Sequence, residues 1–401
     1  MAVVRFVQFS DVHLDARLEE SKLALPEEKR QKRQREVRQV VAQACSLAKE
    51  KNCDVVLIPG DLFDEETADW DTVRFLIDRF GSIAPVPVYI TPGNHDPYLP
   101  QSPYNVDYLA ESEKGKWPGN VHIFSNNSFE TVRLEGRDDV AVTGIANVGR
   151  EFEQRRILAQ KIPLLDAAVN ILMFHGSREP FPPGKEPTMP FNDAELLSQG
   201  FDYAAIGHYH TYAEINDGQG RVRGAYSGTP ASQRLNEVGE KFVLLGEIAE
   251  DKSVRLEKVR LDRRTLHSIE VNCSGLPHRE AVIQKIEEEA GKTLNNRDDI
   301  LFIRLSGRFP PGESLKLPAD LLADKYFHVA TDTSGLQPDY DLDKYLQEPE
   351  LIRGVDGDYV KALLNQEAQA AGERERMVIR AALYYGLDAL IEGRLSGRYE
   401  D

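Results

Sequence analysis

The chain has 401 residues, 66 acidic against 49 basic side chains, and a formal net charge of −17. It is long enough for roughly two or three domains and a large buried core, so neither disulfides nor a structural metal is needed to fold it. The acidic balance excludes a protein that holds nucleic acid by global attraction, while leaving room for a local basic surface or for bound cations. Three cysteines, Cys45, Cys53 and Cys273, form no CxxC pair and suit reduced thiols, which points to a cytoplasmic location. The opening MAVVRFVQF lacks a basic leader, and no run approaches the ~18 apolar residues of a membrane span.

In chain order, VVRFVQF (3–9) reads as a first buried strand, followed by a helix over about 29–50. That helix opens with KRQKRQREVR (29–38), six basic side chains against one acidic, which is either a solvated face or a phosphate-tracking surface. CDVVLIP (53–59) is a second strand, 69–81 a helix, and PVYIT (87–91) a third strand, giving β-α-β-α-β and an α/β layered domain. NILMF (170–174) and FDYAAIG (201–207) are further buried strands, and Asn192 with Glu195 three positions on marks the start of a helix over 193–199. RVRGAYSG, EKFVLLGEIA, VRLEKVRL and HSIEVN, between 221 and 272, are expected to add strands that close this first domain.

Beyond Gly275 the expected elements are a helix at 277–291 and strands at 299–307 and 325–331, a small α/β module. Residues 332–351 are acidic with two prolines and a glycine, which reads as a linker. Apolar positions at helical spacing then predict helices at 357–371 and 375–392. The expected divisions are 1–270, 271–335 and 336–401.

Each of the five buried runs ends in polar side chains: DVH (Asp11, His13), GDLFD (Asp61, Asp64), GNHD (Asn94, His95, Asp96), FHG (His175) and GHYH (His208, His210). Groups at strand ends of an open α/β sheet converge on one crevice, and five of the nine histidines sit at these points. Carboxylate, imidazole and carboxamide without thiolate suit Mn²⁺, Fe²⁺ or Zn²⁺. The donors are too many for one ion, but two ions bridged by a carboxylate would use them all, activating a water and clamping a phosphoryl group. Gly60, Gly93, Gly176 and Gly207 allow the backbone to pass close by.

These five motifs, in this order, resemble the calcineurin-like metallophosphoesterase superfamily over about residues 3–260. The resemblance implies a four-layer α/β/β/α sandwich. It also implies one ion held by Asp11, His13, Asp61 and His210 and another by Asp61, Asn94, His175 and His208, with a bridging hydroxide as nucleophile. His95 would then face the phosphate as an acid. Its orienting acceptor is expected to be Asp64, which resembles the carboxylate used in related phosphatases; Asp96 competes, with a simpler role as a turn residue before Pro97.

GDLFDEE lacks the Asp-Arg-Gly continuation of phosphoprotein phosphatases. RFVQFSDVHLD, the basic helix and YSGTPASQRLNEVGEKFVLLGEI are instead similar to the SbcD-type DNA repair nucleases, in particular their YhaO-like branch. That likeness implies a Mn²⁺-dependent exonuclease or endonuclease at DNA ends in double-strand-break repair, a homodimer, and an SbcC-type SMC-like ATPase partner docking on the C-terminal helices. The module at 271–335 would be a capping domain for DNA recognition. Arg17, Lys29, Arg30, Arg33 and Arg178 are candidate DNA contacts. The competing function is a phosphodiesterase for a small nucleotide or phospholipid substrate, and a third reading is a scaffold without catalysis.

Overall fold

A computed structural model of the chain describes residues 4–392, apart from 19–22, 67, 106, 108, 110–114, 182–186, 294–295, 311–314, 316, 319 and 348–353. The chain groups into two compact units, Met1–Leu266 and His267–Asp401.

The first unit is built on two six-stranded sheets. One takes β1 (Val4–Gln8), β2 (Val55–Ile58), β3 (Val88–Ile90) and β4 (Val121–Ile123) in parallel, with β11 (Val243–Ile248) and β12 (Val254–Val259) added antiparallel beside β1. The other takes β5 (Glu130–Leu134), β6 (Arg137–Gly144), β7 (Val169–His175), β8 (Tyr203–Gly207), β10 (Val222–Tyr226) and β9 (Ala213–Asn216), in that order across the sheet. Strand alternation assigns the layers, because successive side chains leave opposite faces. Phe6 of β1 joins Leu57, Met173, Tyr203 and Ala205 in a core between the sheets. Val7 points the other way, into a cluster with Val56, Ile58 and the helix residues Val37, Val41, Ala44, Val73 and Leu76. On the far face of the second sheet, Leu172, Phe174, Ala204 and Ile206 pack with Phe191 and Leu196. The result is the expected four-layer α/β/β/α sandwich, whose β4, β5 and β6 lie in a stretch where short, partly polar runs gave no strand signal.

Helix α1 (Glu27–Glu50) places Glu27 and Glu28 in its first turn and Lys49 in its last, matching the helix dipole. Its basic N-terminal half does not present all of its cations to solvent, and Arg33 is a correction to the expected DNA contacts. Arg33 is fully buried; its Nη1 and Nη2 donate to the Asp262 carboxylate at 2.7 and 2.6 Å, and Nη2 also donates to the Ser232 carbonyl at 2.8 Å. Arg264 makes a similar buried pair with Glu36. Arg178 is held by Asp193, its Nε and Nη2 donating at 2.6 Å each, and Arg30 is paired with Glu27. The helix Asp193–Gln199 forms with the capping box that Asn192 and Glu195 predict.

The second unit corrects two expectations. HSIEVN does not close the first domain: it lies in β13 (Leu266–Asn272), which pairs with β14 (Ile300–Phe309) in a separate three-stranded sheet. The reason is its apolar face, since Ile269 and Val271 pack with Val282 and Ile286 of the helix Arg279–Ala290 and with Leu301 and Ile303. The acidic stretch expected to be a linker is in part β15 (His328–Pro338), hydrogen-bonded in parallel along β14 as far as the pair Phe309–Pro338, so no division falls at 335. A short helix (Leu342–Gln347) follows, then helices Val355–Gln369 and Glu373–Glu392, which pack on each other through Val360, Leu383 and Leu387. Met377, Leu390 and Ile391 on the last helix stay exposed. Among the described residues no helix is long and apolar enough to cross a membrane.

Removing one partner of a buried ion pair leaves the other charge uncompensated, so Asp262→Ala is expected to cost about 3–5 kcal/mol of stability. Urea denaturation of the variant beside the wild type measures it.

Candidate metal centre

The predicted residues stand where strands end and loops cross. Asp11 and His13 follow β1, Asp61 and Asp64 follow β2, Asn94 and His95 follow β3, His175 ends β7, and His208 and His210 follow β8. The first two loops are tied to each other: the Val12 and His13 amides donate to the Asp61 carbonyl, at 2.8 and 3.1 Å, and the Asp11 amide to the Gly60 carbonyl at 3.1 Å. Four of the named residues have left-handed backbone, Asp11 (φ 54°), His13 (44°), Asp61 (52°) and His208 (108°). Non-glycine residues seldom adopt that region, at a cost of about 1–3 kcal/mol each, and such strain gathers where side chains must be aimed. Gly93 and Gly207 mark the tightest approaches: a Cβ at Gly93 would strike the Asp61 carboxylate, and one at Gly207 the Pro59 carbonyl.

Three groups of donors result among the described residues. Ligand atoms of Asp11, His13 and His210 lie within 4.8 Å of one another, as do those of Asp11, Asp61 and His175, and a third group, His13, Asp64 and His95, shares His13 with the first. His13 Nε2 and His210 Nε2 are 3.2 Å apart. Asn94 Oδ1 lies 3.0 Å from His175 Nε2 and 3.2 Å from His208 Nδ1. Asp61 stands between the groups. Its Oδ1 accepts the His95 amide at 2.9 Å, while Oδ2 is 3.2 Å from His175 Nε2 and 3.8 Å from His13 Nε2.

The tautomers show what the site is made for. His13 Nδ1 donates to Asp64 Oδ1 at 2.5 Å, His210 Nδ1 to Glu237 Oε1 at 2.5 Å, and His175 Nδ1 to the Pro59 carbonyl at 2.9 Å. In each neutral ring Nε2 is therefore a bare lone pair, and these lone pairs face each other, Asp61 Oδ2 and Asn94 Oδ1. Acceptors aimed at acceptors repel unless a cation lies among them. A divalent ion with bonds of about 2.1 Å at right angles would separate its donors by about 3 Å, close to the spacings here.

The titration of these groups agrees. Burial by itself would lower the pKa of His175, but Asp61 outweighs it and the ring is pushed up to about 9. His13 is raised in the same sense, burial being overcome by Asp64 and Asp61. His208 is pushed down to about 3 by burial and by the charge of His175, which leaves it a neutral donor. Protons on His13 and His175 thus supply positive charge that the donor set otherwise lacks.

The two candidate partners of His95 have separate tasks. Asp64 Oδ1 is 3.5 Å from His95 Nδ1, and the same oxygen takes the hydrogen bond from His13. Asp96 points elsewhere: it accepts from the amides of Asp61, Gly93 and Leu62, at 3.0, 2.6 and 2.7 Å, and from the Tyr104 hydroxyl at 2.7 Å. It braces the GD turn against the GN turn. His95 itself is half-exposed, lining a cleft of about 500 Å³ together with Asp61, His208, His210, Tyr212 and Arg234. Sequence reasoning did not find Glu237 or Tyr104; each lies in a loop whose composition carries no ligand pattern.

Donors this hard, doubled around one shared carboxylate, fit two divalent ions and belong to metal-dependent hydrolysis rather than to a structural ion. A model of the calcineurin-like phosphoesterases matches residues 4–212, just over half of the 401, and the chain belongs to that family. It is a metal-dependent phosphoesterase. The chain is 26% identical over 259 residues to the uncharacterized metallophosphoesterase YhaO of Bacillus subtilis, a match covering 64% of this chain and 60% of that one, so it spans less than two thirds of that relative. It is 24% identical over 317 residues to the DNA double-strand break repair protein Mre11 of Saccharolobus solfataricus, covering 76% of each. Among solved structures, a dimetal phosphatase from Danio rerio aligns at a TM-score of 0.37 and 12% identity, over 61% of this chain and 92% of that one.

Because a divalent ion and a proton compete for the same lone pairs, metal affinity is expected to rise with pH toward about 9, the level to which His175 is raised, and binding should release protons. Calorimetric titration in buffers of different ionisation enthalpy counts those protons; pH-independent affinity without release would contradict the assignment.

Proposed function

We propose that the chain is a Mn²⁺-dependent nuclease that hydrolyses phosphodiester bonds at DNA ends, the finer activity within its family. The observation that carries this reading is the likeness to the archaeal Mre11, which extends over 76% of both chains, more than the first unit occupies. In this reading Asp11, His13, Asp61 and His210 would hold one ion, and Asp61, Asn94, His175 and His208 the other. The chemistry the ions supply when bound is activation of a water and neutralisation of phosphate charge. The chain's own residues do the rest. The amide of His95 fixes which oxygen of Asp61 is shared, and its half-exposed imidazole meets the phosphate and protonates the leaving oxygen. Asp64, 3.5 Å from Nδ1, orients that ring and leaves the other nitrogen for substrate.

The reading extends to partners. Met377, Val378, Leu390 and Ile391 are exposed apolar side chains on the last helix, where the coiled coil of an SbcC-type SMC-like ATPase would dock. With a net charge of −17, DNA binding in this reading falls to local patches, to a groove in a homodimer, or to the partner. Three buried, unpaired thiols accord with the reducing cytoplasm. A cleft of about 500 Å³ would also admit a small nucleotide or lipid headgroup, which makes a small-substrate phosphodiesterase the second reading.

End-labelled linear duplex DNA with Mn²⁺ separates the two. The expected result is chelator-sensitive degradation; inert DNA with good turnover of cyclic nucleotides would overturn the nuclease reading. In the same assay His95→Ala should retain both ions and lose about 10²–10⁴-fold in turnover. Loss of metal from that variant would show that His95 is a ligand instead.

A further inference from the structure

All nine residues picked out for the site lie within the segment that matches the family, residues 4–212. One carboxylate that touches the site does not. Glu237 belongs to the loop between β10 and β11, its side chain is 5% exposed, and Oε1 accepts the Nδ1 proton of His210 at 2.5 Å. Its other oxygen accepts the amides of Gln233 and Arg234 at 2.6 and 3.0 Å, so the carboxylate is held from two sides. The loop is tied down in turn. The Ser232 hydroxyl donates to the Glu237 carbonyl at 2.9 Å, buried Arg33 donates to the Ser232 carbonyl, and the Gln233 side-chain amide donates to the carbonyl of Val12, between Asp11 and His13.

We propose that Glu237 is a positioning residue for the ion that Asp11, His13 and His210 would hold, and that the metal centre is completed by the 231–237 loop. A carboxylate on Nδ1 fixes the ring and its tautomer, so that Nε2 is the nitrogen turned toward the ion. Asp64 does the same for His13, so the two imidazoles of this ion are backed by two anions. On the other side His175 is backed only by the neutral Pro59 carbonyl, and His208 presents Nδ1 itself. The effect of Glu237 should therefore be confined to one ion. The buried Arg33–Asp262 pair acquires a purpose in the same scheme, as the clamp on the loop that carries Glu237.

Metal binding without DNA tests this, so the outcome is independent of the nuclease reading. Calorimetric titration with MnCl₂ is run on the full chain in two backgrounds: Asn94→Ala, which reads the Asp11 side, and His13→Ala, which reads the Asn94 side. Glu237→Gln is expected to weaken binding by about 10–100-fold in the first background and to leave the second unchanged. Glu237→Ala should weaken the first at least as much; should that variant fail to fold, Glu237→Gln decides the matter. A change below about twofold in the first background, or equal losses in both, would overturn the proposal, the latter by showing general support of the fold.

Discussion

One carboxylate oxygen organises the site. Asp61 Oδ2 lies within 4 Å of imidazole nitrogens from two groups of donors, and protons on His13 and His175 offset the lone pairs gathered around it. The requirement for cationic charge at that point explains the rest of the centre. It accounts for outward Nδ1 protons on three histidines, for a neutral His208, and for left-handed backbone at Asp11, His13, Asp61 and His208. Such strain persists only where surrounding structure overrides local preference. Here the overriding structure is the two-sheet sandwich, whose strands end together.

The buried charges form a second layer of the same design. Asp96 joins two turns through three backbone amides, and Glu237 holds His210 through a loop that Arg33 and Asp262 secure. Each is costly to bury unless fully satisfied, and each is satisfied by backbone as much as by side chains. This use of Arg33 explains why a basic run on a helix is a poor guide to nucleic-acid contact: one of its cations spends its charge inside the protein.

The second unit shows where pattern reading fails. HSIEVN carries the same alternation as the strands before it, and nothing local distinguishes membership of one sheet from another; the choice is made by Ile269 and Val271 packing on Val282 and Ile286. The acidic stretch after Thr331 lacks an apolar face, yet pairs along β14 through backbone hydrogen bonds that composition does not reveal.

By itself the sequence determined the layered fold and the nine residues that meet at the site. Buried strands are legible as apolar runs, and within each sheet the residues after its parallel runs face a common edge, while the meeting of the two sheets' edges is a tertiary outcome. Only the tertiary structure decided which nitrogen of each histidine turns inward, that Asp64 lies by His95 while Asp96 braces the turns, and that Glu237 belongs to the centre. Those outcomes depend on side-chain directions between segments 51 and 27 residues apart, as for His13 with Asp64 and His210 with Glu237, and no local preference encodes them.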